Sequence, residues 1–296
     1  MIDIVSLENE RKTLYEKYKK ENTKGYIFIA IAVLMFILLY ALELAIFLIA
    51  GIVFVVVASI FFAKAGKERQ TFRNKFKSTL VNKLLAERFT DFTYNPSGQL
   101  DINKVNAPAF FKKPDRYSGE DLITGSYKGV KFEVADCTLK ERVVRTDSKG
   151  NTYVTYETYF QGRYYVYTYE KQFKDTLKIV ESRWSLSHGL KKFETESIDF
   201  NKKFKIFTSD EKHGFYLITP YMIEKLMELE KMHKGTIYYA FIGNKLYIAI
   251  NDNSNSLEFP IGREINEASV KKFDGDIELI AAIINEFRLD GQKFKN

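Results

Sequence analysis

Hydrophobic and polar positions are distributed unevenly along this chain. Residues 26–63 read YIFIAIAVLMFILLYALELAIFLIAGIVFVVVASIFFA, and Glu43 is their sole charged residue. A bilayer core about 30 Å thick needs roughly 20 helical residues. One straight helix of this length would run to roughly 57 Å at 1.5 Å per residue. The run therefore predicts two spans, 26–42 and 44–63, folded as a helical hairpin with Glu43 at the tip. A hairpin buried in a soluble core is disfavoured, because core helices this long keep a polar face. The other reading makes Glu43 an intramembrane functional carboxylate, which its place at the tip renders unnecessary.

On either side the pattern becomes amphipathic. Leu7, Leu14, Tyr15 and Tyr18 share one side of a charged segment over 3–23, which predicts an N-terminal helix. Phe72, Phe76, Leu80, Leu84 and Leu85 recur at helical spacing among Lys and Arg, so 64–92 predicts a basic juxtamembrane helix. It either packs its apolar stripe on the following domain or lies on the membrane. The proline- and glycine-containing stretch YNPSGQLDINKVNAPAFFKKPDRYSGED then predicts a linker over 93–121.

Strand patterns follow from 122 to 296. VKFEV alternates, and TYVTYETYFQGRYYVYTYE is dense in β-branched and aromatic residues, with Gly162 suggesting a bulge or a break. LKIVESR, KKFKIFTSD and SLEFPI read as further strands, and TIYYAFIGNKLYIAI as a hairpin turning at Gly243-Asn244. TPYMIEKLMELEKMHKG is a helix capped by Thr219, and DGDIELIAAIINEFRLDG a second one. The fold class expected is α+β: a two-helix transmembrane hairpin followed by a cytoplasmic domain with a mainly antiparallel sheet and flanking helices.

Charge refines the location. The formal net charge is +7. Residues 1–25 contribute +1, 64–92 contribute +5, Glu43 −1 and 93–296 only +2. The basic excess hugs the apolar run. It suits anionic headgroups, with Lys64, Lys67, Arg69, Arg73, Lys75 and Lys77 as candidate contacts. Nucleic acid is not an expected partner, since that would call for a basic patch on the folded domain. Basic residues flank both spans and the tip has none, so both termini are expected in the cytoplasm.

Little in the chain points to catalysis. Cys137 is the one cysteine, with no histidine near it in sequence, and His188, His213 and His233 are widely spaced. Neither a zinc set nor an activated thiol is legible. DNSNS at 252–256 lacks the glycine and closing glutamate of a calcium loop and reads as a hairpin loop. Glu194, Glu196 and Asp199 read as a solvated edge. No phosphate-binding or nucleotide-binding glycine motif occurs. No cofactor, metal or catalytic residue is therefore assigned. The tyrosines of 153–169 face alternate ways along a strand. Either both sheet faces are covered, or one face offers rings to a partner. In the second case Tyr153, Tyr156, Tyr165 and Tyr167 form a candidate interaction surface.

Three stretches, FKKPDRYSGEDLITGSYKGVKFEVADCTLKER, YFQGRYYVYTYEKQFKDTLKIV and FYLITPYMIEKLMELE with GTIYYAFIGNKLYIAI, resemble a bacterial membrane-protein family catalogued as domain of unknown function 3137 (DUF3137). The matching positions are Asp115, Tyr117, Gly119, Glu120, Asp121, Gly125, Phe160 and Gly162. The resemblance implies two N-terminal spans, a linker and a soluble domain in a bacterial inner membrane. It implies no activity. The sequence thus favours a membrane-anchored interaction or scaffold module that binds protein or anionic headgroups. Its expected partners are the lipid bilayer and a membrane protein or a second copy. The alternative is a membrane-bound enzyme acting on a lipid or small molecule.

The orientation is testable. A cysteine placed beside Glu43 is expected to react with an impermeant thiol reagent in intact cells while Cys137 does not. Labelling of Cys137 alone would reverse the assignment.

Overall fold

The computed structural model describes residues 4–181 and 189–296. The chain forms two compact units: residues up to Lys83 with Glu258–Lys272, and Leu84–Leu257 with Phe273–Asn296.

In the first unit, α1 (Ile4–Leu42) and α2 (Ile46–Phe76) form an antiparallel hairpin. The N-terminal amphipathic segment and the first apolar stretch are one unbroken helix, not two elements. Glu43 lies at the turn with φ 54° and is exposed. Both helices are long and apolar enough to cross a membrane. Most of their apolar side chains face outward; Tyr40 is 90% exposed and Ile49 65%. What they bury is small. Gly51, Ala58 and Ala65 recur every seven residues on α2, opposite Gly25 and Ala32 on α1. A Cβ on Gly25 would sit 2.6 Å from the Phe62 ring, and one on Gly51 2.7 Å from Phe36. Helices that gain no hydrophobic drive from a lipid surround associate through such close small-residue packing.

The polar base of this unit is tied to residues 258–272. Arg11 grips Glu8 through two hydrogen bonds of 2.8 and 2.7 Å and donates a third to the Ile261 carbonyl. The Ile265 N–H donates to the same Glu8 carboxylate. Arg11 holds the Glu8 carboxyl below its usual range. Phe259 stacks on Phe76, with ring centroids 5.0 Å apart. The SLEFPI stretch therefore forms no strand; Phe259 and Ile261 in it are core residues of the helical unit.

Helix continues from α2 through a π turn (Lys77–Val81) into α3 (Asn82–Arg88). In the second unit, nine described strands form one antiparallel sheet: β1 (Asp91–Asn95), β2 (Arg116–Tyr127), β3 (Val130–Thr146), β4 (Thr152–Thr168), β5 (Leu177–Val180), β6 (Lys191–Phe193), β7 (Lys205–Thr208), β8 (Thr236–Ile242) and β9 (Lys245–Asn251). Their order is β1-β2-β3-β4-β9-β8-β5-β7-β6. The helices are α4 (Ile102–Asn106), α5 (Ile198–Lys203), α6 (Glu211–Leu217), α7 (Pro220–Met232) and α8 (Glu267–Glu286). Thr219 caps α7 by accepting the Met222 N–H, and Gly243-Asn244 turns the β8–β9 hairpin. The expected linker is not one, since β1, α4 and the start of β2 occupy it. The strand expected over LKIVESR is β5, and the end of that stretch lies outside the described residues.

Both faces of the sheet are covered along the second half of β4. Tyr164 and Val166 join Leu100, Phe110, Cys137 and Phe160 on one side. Tyr165 and Tyr167 alternate to the other, where the Tyr167 hydroxyl donates to the Ile280 carbonyl of α8. Gly162 itself is neither bulge nor break, since it pairs with Cys137; the register slips three residues earlier on the same strand, where Tyr159 has no partner on β3 between Phe160 opposite Leu139 and Thr158 opposite Lys140. Glycine is required at 162 because a Cβ would lie 2.0 Å from the Ile250 carbonyl of β9.

An ion pair is buried in this sheet. Asp136 and Arg163 are cross-strand partners, 4% and 3% exposed, and Arg163 Nε donates to Asp136 Oδ1 at 3.0 Å. The Ser256 N–H donates to Asp136 Oδ2 at 2.8 Å. Replacing Asp136 by Ala leaves the guanidinium uncompensated. We expect a loss of about 3–5 kcal/mol in chemical denaturation followed by circular dichroism. The double replacement Asp136→Leu with Arg163→Met should recover most of it, since paired removal of a buried ion pair is often neutral.

Candidate functional site

The β3–β4 hairpin is longer than the sheet that holds it. β2 pairs with β3 as far as Arg116 opposite Lys140, and β9 pairs with β4 only from Gly162 onward. Beyond these points 141–146 and 152–157 pair, among the described strands, only with each other. Six residues per strand make a ribbon about 20 Å long. Its tip is closed by Asp147, whose Oδ1 accepts the N–H groups of Lys149 and Asn151.

The register assigns the ribbon's two faces. Val144 lies opposite Val154 and Arg142 opposite Tyr156 on one face; Arg145 opposes Tyr153 on the other. Val144, Tyr153 and Val154 are each close to half exposed. Arg116 places its guanidinium 3.4 Å from the centre of the Tyr156 ring, and Arg145 pairs with Glu157. The root is held by Asp115, which accepts the Arg142 N–H at 2.7 Å and donates its own N–H to the Lys140 carbonyl.

A polar cleft of about 170 Å³ opens at this root, among Gly119, Glu120, Cys137, Gln161, Ser254 and Asn255. The β2 register slips between Glu120 and Ile123, and Asp121 takes φ 59° there. Asp121 is buried and accepts the Tyr94 hydroxyl at 2.6 Å, while Asn255 donates to Glu120. The DNSNS stretch is a loop, with Asp252 accepting from Ser254, but not a hairpin loop, because the SLEFPI stretch after it forms no strand. Its position against β2 and β3 was not legible. Of the positions that carry the family resemblance, Asp115, Tyr117, Gly119, Glu120 and Asp121 converge on the root and the cleft. Gly125 meets the Asp91 carbonyl, 2.4 Å from where its Cβ would be.

Of the four tyrosines proposed for a surface, the structure leaves two outside the core. Tyr153 is exposed and Tyr156 half-buried, on opposite faces of the ribbon. Tyr165 and Tyr167 are core residues, 2% and 0% exposed, because α8 covers their face. The basic set is also smaller than the sequence suggested. Lys64, Lys67 and Arg69 are exposed, as is Lys75, which pairs with Glu10. Arg73 and Lys77 both pair with Glu258, and Lys77 is 1% exposed. Lys77 therefore cannot reach a headgroup.

The cleft's chemistry is muted. Burial pushes the Cys137 thiol up to about 12. Its neighbour Tyr117, 3.7 Å away, is raised by burial too and donates to the Leu100 carbonyl. Neither is a base for the other. Burial lowers His213 and His233, which lie outside the cleft; His188 is outside the described residues. A thiol raised to about 12 is almost wholly protonated at neutral pH. Alkylation of Cys137 by iodoacetamide at pH 8 should therefore be far slower in the folded protein than in denaturant. Rapid modification of the folded protein would show an activated thiol.

Comparison with curated proteins finds no match. Among solved structures, the crystal structure of the mycobacterial trehalose monomycolate transport factor A, TtfA, aligns over 72% of this chain and 94% of that one, at 8% identity and a TM-score of 0.33. A likeness that distant carries no argument about fold or function. Residues 158–289, from the root of the ribbon to just past α8, match the family described as a protein of unknown function (DUF3137).

Proposed function

We propose that this protein is a membrane-anchored interaction module, held in the bilayer by the α1–α2 hairpin and engaging a neighbouring membrane protein through the β3–β4 ribbon. The ribbon carries this reading. A two-stranded hairpin is marginal in water on its own, and beyond Arg142 this one has no further strand on either long edge among the described residues, with Val144, Tyr153 and Val154 in solvent. Unpaired edges are templates for a further strand. Aromatic and arginine side chains, here Tyr153, Tyr156, Arg116 and Arg142, are the types that dominate binding energy at interfaces.

The outward-facing apolar helices support the anchor. In this reading the membrane is the bacterial inner membrane and both termini are cytoplasmic, as the basic flanks favour. Lys64, Lys67 and Arg69 are the residues available to anionic headgroups, each worth about 1 kcal/mol near the surface. Turnover finds less support, since the root cleft is lined by a thiol raised by burial and a carboxylate already bonded to Asn255.

The test replaces 143–155 by Asn-Gly, joining the paired residues Arg142 and Tyr156 by a two-residue turn. The shortened protein should keep its circular dichroism and melt within a few degrees of the native one. A photoreactive residue at Tyr153 should give a discrete adduct in native membranes that Val154→Asp abolishes. No adduct, or one indifferent to Val154→Asp, would refute the ribbon as the contact.

A further inference from the structure

A second cleft, of about 310 Å³, lies in the sheet-bearing unit between the start of α7 and the last turn of the chain. Its volume falls in the range of small-molecule pockets, roughly 300–1,000 Å³. Tyr221, Met222, Phe287 and Phe294 form its apolar wall. Its charged lining residues are Arg288 and Lys293, with no carboxylate among the residues that line it.

Among the described residues neither cation is paired with a carboxylate. Arg288 stacks over Tyr221, its guanidinium 4.2 Å from the ring centre, and is exposed. Lys293 donates to the neutral Tyr216 carbonyl at 2.7 Å and lies over the Tyr216 ring. The ordinary partner of a half-buried ammonium is a carboxylate; among the described residues none pairs with either group. At the start of α7 the Met222 N–H is already taken by the Thr219 hydroxyl. Arg288 also occupies a position that favours glycine. It ends α8 at φ 51°, with the Leu289 N–H donating back to the Ile284 carbonyl at 3.0 Å. That is the left-handed residue of a helix terminus.

We infer that this cleft binds a phosphate monoester with a small apolar body, the phosphate between Arg288 and Lys293 and the body against the aromatic wall. A monoester carries about −1.5 to −2 charge at pH 7 and so offsets both cations; a carboxylate would leave one uncompensated. The body matters because the wall is apolar and one cation already holds an aromatic ring. The same group occurs on soluble metabolites and on phosphatidic acid in a bilayer.

The experiment uses the full chain in phosphatidylcholine nanodiscs, with phenyl phosphate as the probe in calorimetry. Saturable binding is expected, weakened about tenfold or more in Arg288→Gln with Lys293→Gln, and inorganic phosphate should bind more weakly than the phenyl ester. Arg288→Gly removes the charge and relaxes the backbone, so it should lose affinity while its Tm holds or rises. Adding phosphatidic acid to the nanodiscs displaces the probe if the natural source is lipid and leaves it bound if the source is soluble. No saturable binding, affinity unchanged in the double variant, or equal affinity for inorganic phosphate would overturn the proposal. A lower Tm with intact binding in Arg288→Gly would mark the arginine as structural and overturn it as well.

Discussion

The ion pair between Asp136 and Arg163 is the constraint around which the sheet-bearing unit is organised. The two residues lie on a row that runs across four strands, from Glu120 on β2 through Asp136 and Arg163 to Ile250 on β9. Charges that deep are tolerated only where geometry and hydrogen bonds compensate their desolvation. Asp136 therefore collects Arg163 on one oxygen and the Ser256 backbone on the other. The terminal nitrogens of Arg163 find no protein acceptor among the described residues, so its charge leans on Asp136 and, at longer range, Asp276. That bond draws the loop after β9 against β3. The close approach of β9 to β4 at the next position requires Gly162. The slip in β2 beside Glu120 completes the cleft.

This arrangement also separates what is rigid from what is offered. Below the row, β4 is covered on both faces and its tyrosines are core. Above it, the same strand continues as a ribbon with a single partner strand. A continuous strand that passes from a nine-stranded sheet to a two-stranded arm is positioned at its base and uncovered at its tip. That combination is the feature on which the proposed recognition role rests. The groups that could have served in catalysis, the buried Cys137 and the half-buried Tyr117, are both raised by burial.

The helical unit obeys a different physics. Its hairpin is held by a seam of glycine and alanine and not by large apolar side chains, and those large side chains point outward. Its polar base is closed by Glu8 and Arg11 on the chain near Ile261 and Ile265, some 250 residues away in sequence. The seven-residue recurrence of Gly51, Ala58, Ala65 and Phe72 was present in the sequence and is the signal that identifies the packing face.

The amino-acid sequence by itself determined the features that depend on neighbours within a turn or two. The length of the apolar run dictated two helices and a turn at Glu43. Thr219 and Pro220 started α7, and Gly243-Asn244 closed β8 on β9. Periodicity and capping act over a few residues, so a short window contains the whole cause. The tertiary structure decided the rest. Alternation showed that Tyr165 and Tyr164 must face apart, yet only the docking of α8 made the Tyr165 and Tyr167 side core. Proline and glycine made 93–121 look like a linker, and pairing with distant strands turned its ends into β1 and β2. Lys77 looked like its basic neighbours until Glu258 buried it. Each of these outcomes rests on a partner tens to hundreds of residues away, whose identity no local pattern carries.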